Sequence, residues 1–469
     1  MNASTLNTAT LNTATLNPTG ITRQVAGYVA ATRHADLPAA TVLTTKRLLL
    51  DGIGCLLAGT RGAPGAIAAR ATDHLLGGTA GHSTIFYNGK RSSARDAAFV
   101  NGITLYSVGV NDIHKASGSH PGGAIISALL GTSEWLGTPG ADMLTAMVAG
   151  YDVMGRLGRA TIPSHRERGF HPTGTFGTFG STAAIARLLN LDQDRTSDAF
   201  GIAGSQAAGL KAYVADGSLT MIFHAGRAAQ NGVEAALLAQ AGFSGPHSVF
   251  EDERGFVRAT SDEYRMEEIS AALGQRFEVD DTSFRPYYGC TLTITGSGST
   301  AAILKRAPNP QPENIESITV RCHPIVVEEV GNNAPQTLLA ARLSMEFNLA
   351  LVVMRGDVLV GDVDDSDLWN PTLRSLMGRV KFDTDTSMPR YGTVVTIRFK
   401  DGSSDSVGMD SPKGDPGNPL SWDETRHKFE KLVAPLGAAA RAAHVADLVL
   451  DLEQTNGTVL AAAINAVLR

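Results

Sequence analysis

Cysteine is scarce and scattered in this chain. Cys55, Cys290 and Cys322 are the only three among 469 residues. No Cys-x-x-Cys pair occurs, so neither a zinc ribbon nor a disulfide framework is indicated, and a reducing, cytoplasmic setting is expected. A basic excess is missing as well: the formal net charge is −6, with no basic run, which argues against a nucleic-acid partner. No stretch approaches the ~20 continuous apolar residues of a membrane span, so no membrane partner is expected. The first residues lack the basic start and uninterrupted apolar run of a secretory signal. They repeat Thr-Leu-Asn and Ala-Thr instead, and residues 1–19 are expected to form a disordered, low-complexity tail.

What is present is an ordinary globular composition, 43% hydrophobic and 18% charged. The chain is long enough for two cores, because a single one stops growing at about 250–300 residues. From residue 21 to about 275, apolar and small residues recur at three- and four-residue spacing between Gly and Pro breaks, as in 40–57, 124–136, 141–157, 182–189 and 225–241. Several of these segments carry small residues all round, which suits helices buried within a compact helical body. Near residue 280 the pattern changes. Residues 314–325 hold an alternating β-branched run, and 393–400, Asp401-Gly402 and 403–409 spell a hairpin with an Asp-Gly turn. Segments 340–354 and 371–380 read as helices between them, and helical patterning resumes at 422–436, 438–452 and 458–468. The predicted fold is mostly α. It has a large all-helical domain over 20–278, an inserted smaller α+β lid domain over 279–412, and a helical return over 413–469 that packs on the first part.

Two segments carry the chemistry. Residues 166–180 place His171 before Pro172 at the head of an apolar helix, with Gly174, Gly177 and Gly180 at every third position. A second stretch, Asn111-Asp112-Ile113-His114-Lys115 running to His120-Pro121-Gly122-Gly123, has a similar plan. A histidine before a helix N-terminus can titrate near neutral pH, and the helix end offers N–H donors to an anion. Two such elements point to one site assembled from distant parts of the chain. The alternative for each is a helix-entry residue with proline in the first turn. Asp112, His114 and His120 include metal-ligand types, but no third histidine or carboxylate follows at His-x-x-x-His spacing, so no metal is expected.

With these elements on the page, the chain resembles the MmgE/PrpD family, which includes 2-methylcitrate dehydratases, cis-aconitate decarboxylases and an iminodisuccinate epimerase. The resemblance rests on Leu50-Asp51-Gly52-Ile53-Gly54-Cys55, Ala98-Phe99-Val100-Asn101-Gly102, His120-Pro121, Gly169-Phe170-His171-Pro172-Thr173, Gly201-Ile202-Ala203-Gly204-Ser205-Gln206 and His224-Ala225-Gly226-Arg227. Their order and spacing cover nearly the whole chain beyond the tail. The resemblance implies a helical domain with a smaller α+β lid, a homodimer, and a site in the cleft between the domains. It also implies a small polycarboxylate substrate, handled without a metal or organic cofactor. The implied chemistry breaks a C–H or C–C bond beside a carboxylate. That needs a base, a proton donor, and fixed cations or N–H groups for the developing charge.

Carried over residue by residue, His120 and His171 stand on the family's catalytic histidine positions. Asp112 falls in its acidic loop, where it positions a histidine or acts as base. His114, at a place where that loop often has Thr, and Lys115 beside it are candidate substrate contacts. Arg285 stands where the lid has a lysine; its fork binds a carboxylate bidentately but is a poor proton donor. Met221 replaces another family lysine, for which Lys211 in the loop 209–217 is the candidate substitute, and a lid histidine is replaced within 291–295. His224 and Arg227 read as structural or dimer-facing. The implied reaction is that of a cofactor-independent lyase, of dehydratase or decarboxylase type, on a small di- or tricarboxylate. Two-base epimerisation is the alternative, and a binding protein without turnover is a third.

Overall fold

The computed structural model describes residues 20–76, 81–356 and 363–469. The expected tail, residues 1–19, lies outside the described residues. The architecture is mostly α, with a smaller α+β region, as the periodicity implies. Pro172–Leu188 is the central helix, and all 17 of its residues are buried. It is wrapped by Pro121–Leu136, Gly140–Thr161 and Thr220–Gln240, which is where a helix with small, apolar residues on every side belongs. Its glycines set the spacing. A Cβ at Gly180 would lie 3.0 Å from the Gly150 carbonyl, and one at Gly174 would lie 2.6 Å from that of Ala208, so larger residues would push these backbones apart.

Buried side chains form two large clusters. One draws on residues from Val25 to Phe284 and again from Leu420 to Val467. The other lies between them in sequence, from Tyr288 to Phe399. The second cluster backs a four-stranded sheet ordered Val380–Thr384, Ile315–Cys322, Thr393–Phe399, Ser404–Met409. The first pair is parallel and the others are antiparallel. The hairpin turns at Gly402, whose φ of +88° suits the Asp-Gly turn. The chain leaves and re-enters the helical body side by side: Phe284 N–H donates to the Gly414 carbonyl at 2.8 Å.

Two lid segments differ from expectation. Residues 340–354 form two helices, Leu338–Arg342 and Met345–Arg355, because Ser344 caps the second by accepting from Phe347 N–H at 3.0 Å. Helix Pro371–Met377 stops before Gly378, and Val380–Thr384 becomes a strand beside Ile315–Cys322. The partner strand, not local alternation, decides that element. A short antiparallel pairing of Ile113–His114 with Thr282–Ser283 brings the acidic loop against the start of the lid.

Candidate active site

The two histidines of the His-Pro elements are N-cap residues of Pro121–Leu136 and Pro172–Leu188, yet neither side chain makes a capping bond. In the first helix Asp112 does that work. Its carboxylate accepts from Gly122 N–H at 3.1 and 3.0 Å, and from the Tyr151 hydroxyl at 2.9 Å. Burial pushes the Asp112 carboxyl up to about 6, against the pull of Tyr151. The Gly122 donor, expected to be free for a substrate anion, is therefore already used.

His120 is oriented by the same loop. Its Nδ1 lies 2.6 Å from the Asp112 carbonyl and 3.2 Å from Arg285 Nη2. A carbonyl only accepts, so the shorter contact requires Nδ1–H, which leaves the lone pair on Nε2. Burial and then the Arg285 charge hold the His120 pKa well below the ordinary value, so the ring is neutral without substrate. Arg285 is 6% exposed and is steadied by the Asn111 carbonyl at 2.8 Å. Burial and then Arg342 lower its pKa to about 10. Arg342, from the lid, donates to the carbonyls of Gly109 and Gly289.

His171 faces a partner that the sequence reading set aside. Its Nδ1 is 2.9 Å from Nδ1 of His224, and both rings are buried. Burial, then His224, Arg166 and Lys211, bring the His171 pKa down to about 3; burial lowers that of His224. With both rings neutral, one nitrogen donates and the other accepts. Among the described residues no hydrogen-bond partner takes Nε2 of His120 or of His171. Tyr106 packs edge-on against both rings, its centroid 5.5 Å from that of His120 and 6.5 Å from that of His171. Thr173 ties the elements together by accepting from His120 N–H at 3.1 Å.

The family model of the MmgE/PrpD N-terminal domain matches residues 23–269, and that of the C-terminal domain matches residues 299–454. The chain belongs to the MmgE/PrpD family. Among curated relatives, the cis-aconitate decarboxylase-like protein oryM of Aspergillus oryzae is 28% identical over 461 residues, covering 92% of this chain and 94% of that protein. The cis-aconitate decarboxylase of Aspergillus terreus is 25% identical over 464 residues, 93% and 94% of the two chains. That of Mus musculus is 27% identical over 434 residues, 87% and 86%. Arg285 falls between the two matched segments of the family.

The other residues drawn from the family pattern are spread more widely. Lys211 N–H donates to the Gly169 carbonyl at 2.7 Å while His171 N–H donates to that of Gly209 at 2.9 Å, so Lys211 sits on the loop beside His171. Lys115 turns instead to the seam with the lid, pairing with Asp415 and lying over the Tyr391 ring at 4.7 Å. His114 is held inside the body, Nδ1 at 2.9 Å from Ser117 Oγ and Nε2 at 3.0 Å from Glu278. Burial raises the Glu278 carboxyl, but His114 and Arg159 outweigh it and hold it at about 2. His114, Glu278 and Asp281 come within metal-ligand reach of one another. The Arg159 guanidinium already bridges the two carboxylates and supplies the cation there. Tyr106 and Arg342 stand beside these residues without having been singled out by sequence, and His224, read there as structural or dimer-facing, pairs with His171.

Proposed function

We propose that the chain is a cofactor-independent lyase of decarboxylase or dehydratase type, acting on a small tricarboxylate such as cis-aconitate. The observation that carries this reading is that His120 and His171 both pack edge-on against the Tyr106 ring, each with Nδ1 engaged and, among the described residues, no hydrogen-bond partner on Nε2, with Arg285 against His120. The names of the curated relatives support it. When CO2 leaves a carbon allylic to an unsaturated acid, its electron pair spreads to the carbon α to a remaining carboxylate, which takes up a proton. Dehydration runs through the same kind of carbon, with the proton removed and hydroxide lost. Either route needs a histidine to carry the proton and fixed cations on the carboxylates. Arg285 and Arg342 supply those cations. A bound tricarboxylate offsets their charge and raises the pKa of His120, loading the ring with the proton that the carbanion needs.

The exposed apolar side chains Leu210, Val214, Leu219 and Phe223 around the Lys211 loop support a homodimer, and three free cysteines suit the cytoplasm. No described helix is long and apolar enough to cross a membrane.

The test is proton NMR of the protein with cis-aconitate and related di- and tricarboxylates in D2O, with CO2 release followed in parallel. Loss of CO2 or water, with deuterium exchanged α to a carboxylate, is expected. Exchange with inversion and no new alkene would move the assignment to epimerisation, and tight binding without turnover would make this a binding protein. Arg285→Lys should raise KM by about 10–100-fold, the worth of hydrogen bonds to a charged group at about 1–3 kcal/mol, with a smaller change in kcat. An unchanged KM would remove Arg285 as the clamp.

A further inference from the structure

Four consecutive main-chain carbonyls, from Gly109 to Asp112, are each held by a different side chain. Arg342 takes that of Gly109, Lys428 that of Val110 at 2.8 Å, Arg285 that of Asn111 at 2.8 Å, and His120 Nδ1 that of Asp112 at 2.6 Å. Arg285 also contacts the imidazole, and the charge of Arg342 acts on it. Lys428 comes from Trp422–Val433, where it is buried with Thr425, Phe429 and Leu432. Its Nζ is 2.5 Å from Asp51 Oδ1, with side-chain exposures of 3% and 1%.

A buried ion pair of this kind is weak evidence of stability, since well-packed apolar residues often serve the fold as well. The bond to Val110 gives the pair a second task. We propose that Lys428, anchored by Asp51, is a positioning residue for His120: by holding the Val110 carbonyl it fixes the peptide planes of the 109–112 loop, and with them the Asp112 carbonyl that keeps the His120 proton on Nδ1. This rests on the reading of His120 as a proton carrier. The loop has freedom to lose. Gly109 sits at φ +74°, and the Asp112 side chain is tied down while, among the described residues, its carbonyl has His120 alone as a side-chain partner. Once that carbonyl turns away, the nearest neighbour of Nδ1 is the Arg285 Nη2 donor at 3.2 Å. A donor there favours a lone pair on Nδ1 and moves the proton to Nε2, the wrong tautomer for a base.

The test reads the tautomer directly, without any substrate. Long-range 1H–15N spectra of histidine-labelled protein, with His120 assigned by its loss in His120→Asn, should show the proton on Nδ1. In the double variant Lys428→Met with Asp51→Asn, which leaves no uncompensated buried carboxylate, His120 should shift to mixed or Nε2–H form. There kcat should fall by about 10–100-fold, as for other groups that orient a reacting side chain, with KM within about threefold. Asp51→Asn alone, whose amide oxygen still accepts from Lys428, should keep the wild-type tautomer and covers the case of a poorly folded double variant. An unchanged His120 tautomer in the double variant overturns the positioning role, whatever the activity does. Failure to turn over any carboxylate would strike the proposed function while the tautomer comparison still stood. A wild-type His120 protonated on Nε2 would overturn the inference at its root.

Discussion

His120→Ala is expected to lower kcat by about 10²–10⁴-fold, the usual scale for a group that moves a proton in the transition state, and to leave the fold intact. The fold survives because the His120 side chain caps nothing. Pro121 still opens the helix, and Asp112 still holds Gly122 N–H. The turnover is lost because the substitution removes the ring whose Nδ1 is held by the Asp112 carbonyl with the Arg285 guanidinium alongside. Burial and Arg285 depress the pKa of the ring, so a proton should be taken up as the anionic substrate binds. Calorimetry in two buffers of different ionisation enthalpy should register that uptake, and the variant should lack it. Wild-type turnover in a well-folded His120→Ala protein would remove this residue from the chemistry.

The parts of this molecule that were legible in sequence are those that local physics dictates. Small residues at helical spacing marked the buried helices, and the Asp401-Gly402 pair marked the hairpin of the lid. Val380–Thr384 was missed because its order comes from the ladder to Ile315–Cys322, which no local pattern announces. The site divides in the same way. His120 and His171 stood out because proline follows each. His224 lies 53 residues from its partner, in the first turns of the helix Thr220–Gln240, and nothing nearby in sequence says that its ring is paired. A signal for Asp51 and Lys428 did exist: Asp51 interrupts the apolar run 48–57, and Lys428 sits in the apolar stripe of its own helix. Charges at core positions are almost never fully buried unless paired, so two of opposite sign were candidates for each other. Asp112 was expected to position a histidine or act as base; its carboxylate is taken up by Gly122 and Tyr151, and it reaches His120 through its main chain.

His171 should show a comparably large loss, and its neighbour makes the loss diagnostic. His171→Ala is expected to lower kcat by about 10²–10⁴-fold. His224→Ala should cost less, about 10–100-fold, because it removes only the group that fixes the His171 proton. If the 2.9 Å contact between the two Nδ1 atoms works as one unit, the double variant falls no further than His171→Ala, and the double-mutant cycle shows strong coupling. Additive losses would mean that the rings act separately. A second readout needs no substrate. Burial, then His224, Arg166 and Lys211, lower the His171 pKa from 6.5 to about 3, so between those values the unfolded chain binds the proton that the folded chain refuses. Stability is therefore unaffected by this group above pH 6.5 and falls as the pH drops through the window, by at most about 1.4 kcal/mol per pH unit. Urea unfolding at several pH values should show a shallower acid loss in His171→Ala than in the wild type. An identical slope would mean that the His171 imidazole is not held neutral in the folded protein.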